Sequence, residues 1–195
     1  MNIGILGGTF NPPHCAHLII AEHVRLEAGL DRVLFVPSYI SPHKQQGEET
    51  NAADRLAMTR KAIRGNPAFE CCEFEVLKRS VSYTYETLEY LKTLYTDAQL
   101  FLLIGMDNFL DLPTWKHSER ILALADVIVM NRPDTGTGWP AGIPKERIHF
   151  VTVPNLEFSS SAIRRRIGEG KSITYLVPQG VEQYITSHHL YRQQL

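Results

Sequence analysis

The chain has 195 residues, which at ~150 residues per domain is a single domain over 1–195, long enough to bury a core without disulfide or metal staples. Hydrophobic residues make up 44% and charged residues 21%, a globular balance that excludes disorder. With 20 Lys+Arg against 21 Asp+Glu the net charge is −1, which excludes a protein that holds nucleic acid or an acidic membrane by bulk charge and leaves room only for a local basic site.

In chain order, residues 3–7 form a short apolar run closed by Gly7 and Gly8, as a buried strand would be. Apolar residues at helical spacing follow over 17–28 and stop at Gly29, and 33–36 is a second strand closed by Pro37. Residues 37–51 turn polar and read as a mobile surface loop. A helix is expected over 54–64 and a strand over 74–77. The second half repeats the rhythm: helix 84–95, strand 100–104, helix 118–124, strand 127–130. Three glycines and three prolines make 133–144 an irregular connection, and strand 148–153, helix 160–167 and a last helix over 182–189 complete the chain. Strands alternating with helices predict a doubly wound parallel α/β sheet, with ligands at the carboxyl ends of its strands.

The amino terminus carries no basic region or small-residue cleavage site, and the apolar run 100–104 falls far below the ~18 residues of a spanning helix. Three cysteines, Cys15, Cys71 and Cys72, two of them adjacent, make a poor disulfide framework. The expectation is a cytoplasmic protein with no membrane or nucleic-acid partner. Its oligomeric state is not legible.

Some near-matches fail on context. Gly170-Lys171-Ser172 ends like a P-loop, but Arg165 stands at the first glycine position and no strand precedes it. The glycines at 136 and 138 fit a loose dinucleotide fingerprint spoiled by Pro140, and Ser41 with Lys44 lacks the companion motifs of a serine acylase. His14 and His17 have no third ligand nearby in sequence, so no protein metal site is expected.

The informative stretch is Gly7-Gly8-Thr9-Phe10-Asn11-Pro12-Pro13-His14-Cys15-Ala16-His17. Glycines after a buried strand let a ligand approach the backbone. A helix starting near His17 offers unpaired N–H groups and a positive dipole end to phosphate, and two imidazoles there add donors with little fixed charge. Near the other end, Ser159 and Ser160 open a helix whose Arg164, four residues after Ser160, lies on the same face one turn on. That pairing is a clamp for polyphosphate, although Ser-capped helices with a solvated Arg are also common surface features.

The first stretch resembles the nucleotidyltransferase signature G-[GST]-F-[DN]-P-x-H-x-G-H, with Asn11 for the usual Asp and Ala16 for the glycine between the histidines. Ser159 to Arg164 resembles that superfamily's second element. Between them, Ser41-Pro42-His43-Lys44, Ser82-Tyr83-Thr84, Ile104-Gly105-Met106-Asp107, Leu112-Pro113-Thr114-Trp115 and Arg132-Pro133 resemble, in order and spacing, the bacterial nicotinate mononucleotide adenylyltransferases over essentially the whole chain. Ser38-Tyr39 departs from that pattern, where Asn is frequent after the proline.

The resemblance implies a Rossmann-like sheet of the nucleotidyltransferase α/β phosphodiesterase type and transfer of AMP from ATP to nicotinate mononucleotide, with Mg²⁺ bound through the ATP phosphates. It implies His17, His14, Lys44 and Arg164 as catalytic groups. ATP would meet Gly8, Thr9, Phe10, His14, His17, Gly105, Asp107, Ser159, Ser160 and Arg164. Nicotinate mononucleotide would meet Thr9, Lys44, Thr84, Asp107, Trp115 and Arg132, with Trp115 stacked on the pyridine and Thr84 receiving its carboxylate. Nicotinamide mononucleotide, phosphopantetheine and a non-catalytic nucleotide sensor stay open as alternatives.

Overall fold

Short β-branched and leucine-rich runs become strands because both of their faces are covered by helices. The computed structural model describes residues 1–40, 51–131 and 139–192. Strand β1 (Asn2–Gly8) leads into helix α1 (Cys15–Glu27), followed by β2 (Arg32–Pro37), α2 (Ala52–Ile63), β3 (Phe69–Cys71), α3 (Phe74–Lys78) and α4 (Thr84–Leu94). The second half is β4 (Gln99–Gly105), α5 (Met106–Asp111), α6 (Ser118–Leu124), β5 (Asp126–Met130), β6 (Ile148–Val151), α7 (Ser160–Gly168) and α8 (Gln179–Ser187). All six strands are parallel, in the order β3-β2-β1-β4-β5-β6. This is the doubly wound Rossmann-like order, with its switch point between β1 and β4.

Period-two alternation divides the core between the two faces of the sheet. Ile3, Ile5, Leu34, Val36, Leu102, Ile104, Val127 and Val129 pack with Leu88 and Leu91 of α4 and with Phe109 and Ile121. Leu6, Val33, Phe35, Leu103 and Ile128 pack on the opposite face with Val24 of α1, Met58 of α2, Ile163 of α7 and Val181 and Ile185 of α8. Among the described residues no helix is long and apolar enough to cross a membrane.

One predicted element is corrected. Residues 74–77, expected as a strand, form helix α3, and the edge strand lies earlier, at Phe69–Cys71, paired with Val33–Phe35. Four residues, three of them apolar, fit one helical turn as well as a strand. Here Val76 is buried against Ala52 and Leu56 of α2 while Leu77 is 68% exposed, a one-sided burial that a helical turn satisfies. Arg79, at φ +55°, ends the turn. Helix α5 was not anticipated either, its six residues being too short to show a period. The predicted loop at 37–51 falls largely outside the described residues, as do Ser41, Lys44 and Arg132.

Candidate active site

The β1 strand ends in a turn built by close packing. Phe10 has φ +49°, a left-handed backbone that costs a bulky residue roughly 1–3 kcal/mol and persists only when its surroundings hold it. Its ring is 3% exposed, lies 5.7 Å from Phe35, and meets His17 edge-on at 5.1 Å. A Cβ at Gly8 would stand 3.0 Å from that ring, so glycine there lets Phe10 fold under its own strand. Ala16 sits buried in the first turn of α1 and is not among the left-handed residues, so its methyl strains nothing.

His14 is the residue before α1, and the rings of His14 and His17 stack at 3.6 Å. The His14 amide donates to His17 Nδ1 at 3.1 Å. Burial holds His14 down to about 4; burial, with His14 adding to it, holds His17 at about 3. Both rings are therefore neutral at pH 7. Because Nδ1 of His17 is occupied as an acceptor, the neutral ring carries its proton on Nε2, a donor with no fixed charge. His14 Nδ1 is buried and has no hydrogen-bond partner among the described residues.

Helix α7 docks against the same turn. Ser159 caps it by accepting from the Ala162 amide at 3.1 Å, and Ser160 Oγ donates to the Pro12 carbonyl at 2.9 Å. Arg164 donates through Nη1 to the Asn11 carbonyl at 2.7 Å and through Nη2 to Ser161 Oγ at 3.3 Å. The two serines thus shape the helix start and join it to the loop. Asn11, 2% exposed, also accepts from the Tyr191 hydroxyl at 2.6 Å, tying the carboxyl-terminal segment to the signature loop.

At the switch point a cavity of about 820 Å³ opens between the ends of β1 and β4. It brings together Gly8, Thr9, Thr84, Gly105 and Trp115, the first and last of them more than a hundred positions apart in the chain. Thr84 opens α4, whose first amides have no partner within the helix. Asp107 is exposed on α5, and its neighbour Asn108 lines the cavity instead. Ser82 and Tyr83, of the motif around Thr84, line it as well, and so do Glu75, Thr87 and Lys116, which no motif of the sequence marks. The Tyr83-to-Glu86 spacing held a usable signal: Glu86 accepts from the Tyr83 amide at 2.8 Å, half of a capping box that fixes where α4 begins.

Arg55 is a second residue that sequence reasoning passed over. It is 1% exposed on α2 and donates to the carbonyls of Thr9 (2.9 Å), Ser38 (2.5 Å) and Tyr39 (2.7 Å), joining the turn after β1 to the chain after β2.

Among the described residues no group of three or more His, Cys, Asp or Glu could hold a metal ion. The donors present (imidazole, guanidinium, hydroxyl and helix amides) suit phosphate oxygens.

Comparison with known proteins gives concordant matches. The cytidylyltransferase-like family model matches residues 5–166. The chain is 40% identical over 194 residues to the probable nicotinate-nucleotide adenylyltransferase of Salinibacter ruber, covering 98% of each. It is 41% identical over 191 residues to the protein of the same name in Exiguobacterium sibiricum, covering 98% of this chain and 99% of that one. Among solved structures, the Plasmodium falciparum nicotinic acid mononucleotide adenylyltransferase complexed with NaAD superposes with a TM-score of 0.73 over 97% of both chains. At 20% identity that likeness speaks for the fold alone.

Proposed function

The chain belongs to the cytidylyltransferase-like family, and from that membership we propose that it transfers the adenylyl group of ATP to nicotinate mononucleotide. The products are deamido-NAD and pyrophosphate, and the reaction is placed in the cytoplasm within one nucleotidyltransferase domain over 1–195. The observation that carries this reading is the switch-point cavity. It joins the glycine turn of β1 to an aromatic ring, Trp115, and a helix start, Thr84, that suit a pyridine acid.

The phosphate of the acceptor attacks the α-phosphorus of ATP; a P–O bond forms there as the bond to pyrophosphate breaks. The nucleophile is already an anion, so no general base or covalent intermediate is needed. Catalysis then consists of holding two anions in line and stabilising the charge that grows on the α-phosphate and the leaving group. In this reading the Nε2 proton of His17 meets the α-phosphate, a neutral His14 faces the phosphates as a hydrogen-bonding group, and Lys44 and Arg164 neutralise the polyphosphate, with Ser159 and Ser160 placing the amides of α7. ATP lies over Gly8, Thr9, Phe10 and Gly105, and Mg²⁺ arrives with it as part of the substrate. The ribose is assigned to Asp107 or its cavity-lining neighbour Asn108, and the acceptor to Thr9, Lys44, Thr84, Trp115 and Arg132.

The test is pyrophosphate release from ATP and Mg²⁺ with nicotinate mononucleotide, its amide and phosphopantetheine in parallel. A strong preference for the first is expected. Preference for the amide would overturn the acceptor assignment, and ATP binding without release would mean a sensor. Trp115→Ala is expected to raise KM for nicotinate mononucleotide about tenfold or more, the scale of a lost ring stack, with KM for ATP unchanged. An unchanged acceptor KM would remove Trp115 from the pyridine site.

A further inference from the structure

We propose that Glu75 discriminates acid from amide on the pyridine ring of the acceptor, a protonated Glu75 carboxyl donating to the carboxylate of nicotinate mononucleotide. This rests on the adenylyl-transfer reading above. Glu75, on α3, lines the same cavity as Ser82, Tyr83, Thr84 and Trp115, the residues to which the pyridine acid is assigned or their neighbours, and its carboxyl is bound to Thr87, three residues along α4 from Thr84. Thr87 Oγ1 donates to Glu75 Oε1 at 2.7 Å and fixes the group's orientation. Among the described residues Oε2 takes no hydrogen bond and the carboxyl makes no ion pair.

The neighbouring cations are engaged elsewhere. Lys78, on α3 itself, pairs with Glu86 Oε2 at 2.7 Å and donates to the Val81 carbonyl at 3.2 Å. Lys116, which also lines the cavity, lies 4.0 Å over the Tyr83 ring. From α4, Glu86 adds a like charge, while the thiol of Cys72, raised by burial, stays protonated and neutral. A carboxylate with no cation paired to it opposes an anion entering the same cavity; the same group with its proton can donate to that anion. Burial, aided by Glu86 and opposed by Thr87 and Lys78, raises the Glu75 carboxyl to about 7, so both states are accessible near neutrality.

The sign follows from proton linkage. Binding the acid acceptor requires a proton on Glu75, so its kcat/KM is constant below about pH 7 and declines above it, approaching tenfold per pH unit. The amide can accept from the neutral acid or donate to the carboxylate, so it is indifferent to the change. Both acceptors share phosphate, ribose and pyridinium, so titrations that act on those shared parts cancel in their ratio.

The experiment measures kcat/KM with both mononucleotides from about pH 6 to about pH 9 for the unaltered protein and for Glu75→Gln. The unaltered protein is expected to lose acid preference above about pH 7, at up to ~10-fold per unit. Glu75→Gln keeps an acceptor for Thr87 and a fixed N–H donor, so its ratio is expected to be flat and acid-preferring throughout. A flat ratio in the unaltered protein overturns the proposal whether or not the variant folds, as does a variant that keeps the unaltered slope. Turnover with neither acceptor overturns the adenylyl-transfer reading and the role of Glu75 with it; turnover with a flat ratio overturns the role of Glu75 alone.

Discussion

His17→Ala is expected to lower kcat/KM for adenylyl transfer by roughly 10²–10³-fold, the usual cost of removing one donor from a preorganised anion site. The donor is preorganised because Nδ1 is occupied by the His14 amide, the ring is stacked on His14 at 3.6 Å, and Phe10 closes its other flank. His17→Asn should share most of the kinetic loss while restoring an acceptor near the His14 amide, so the two variants should differ in stability and not in rate. Acid melts provide a second signature. His14 and His17 sit at about 4 and about 3, against 6.5 in the unfolded chain. Below pH 6.5 the unfolded chain therefore takes up protons that the folded one refuses, and stability falls as pH drops toward 4. Either variant should melt with a weaker dependence on pH across that window. Near-normal turnover of His17→Ala would remove His17 from the chemistry.

Arg55→Ala should be the most damaging substitution outside the groups proposed to meet substrate. It leaves three carbonyls without their shared donor, at Thr9, Ser38 and Tyr39, in a site where the arginine is 1% exposed. A loss of about 3 kcal/mol is expected, which for a chain of this size lowers the melting temperature by roughly 6–12 °C. Turnover should fall as well, because the same bonds hold the turn after β1 against the chain after β2. Arg55→Lys should recover little, since one ammonium cannot reproduce a planar fork that spans carbonyls from two loops. A variant with unchanged melting and turnover would show that the guanidinium merely fills space.

Much of the architecture is legible in local pattern. The runs at 3–7, 100–104 and 127–130 announce strands through apolar content and closing residues, and helix 84–94 through its amphipathic period. The serine run at 159–161 announces a helix cap, and Ser159 caps α7. The misassigned strand at 74–77 fails because four residues are too few to separate a period of two from a helical turn, and the deciding contact, Val76 on α2, lies some twenty residues away. Glu75 went unseen for the same reason, and Asn108 because one residue of rotation at the start of α5 decides which side chain meets the cavity. Arg55 was invisible because its partners are backbone carbonyls, which any sequence supplies.

By itself, then, the sequence determined what depends on neighbours a few residues apart: the alternation of strands and helices, the caps, the glycine turn with its two histidines, and the motif order that identifies the family. The tertiary structure decided what depends on residues brought together from afar. Desolvation keeps both histidines neutral and brings Glu75 near its ionisation point, and long-range hydrogen bonds from Arg55, Arg164 and Tyr191 hold the loops that form the site. Burial and partner geometry are properties of the packed chain, and they set the charge and the donor direction on which the chemistry runs.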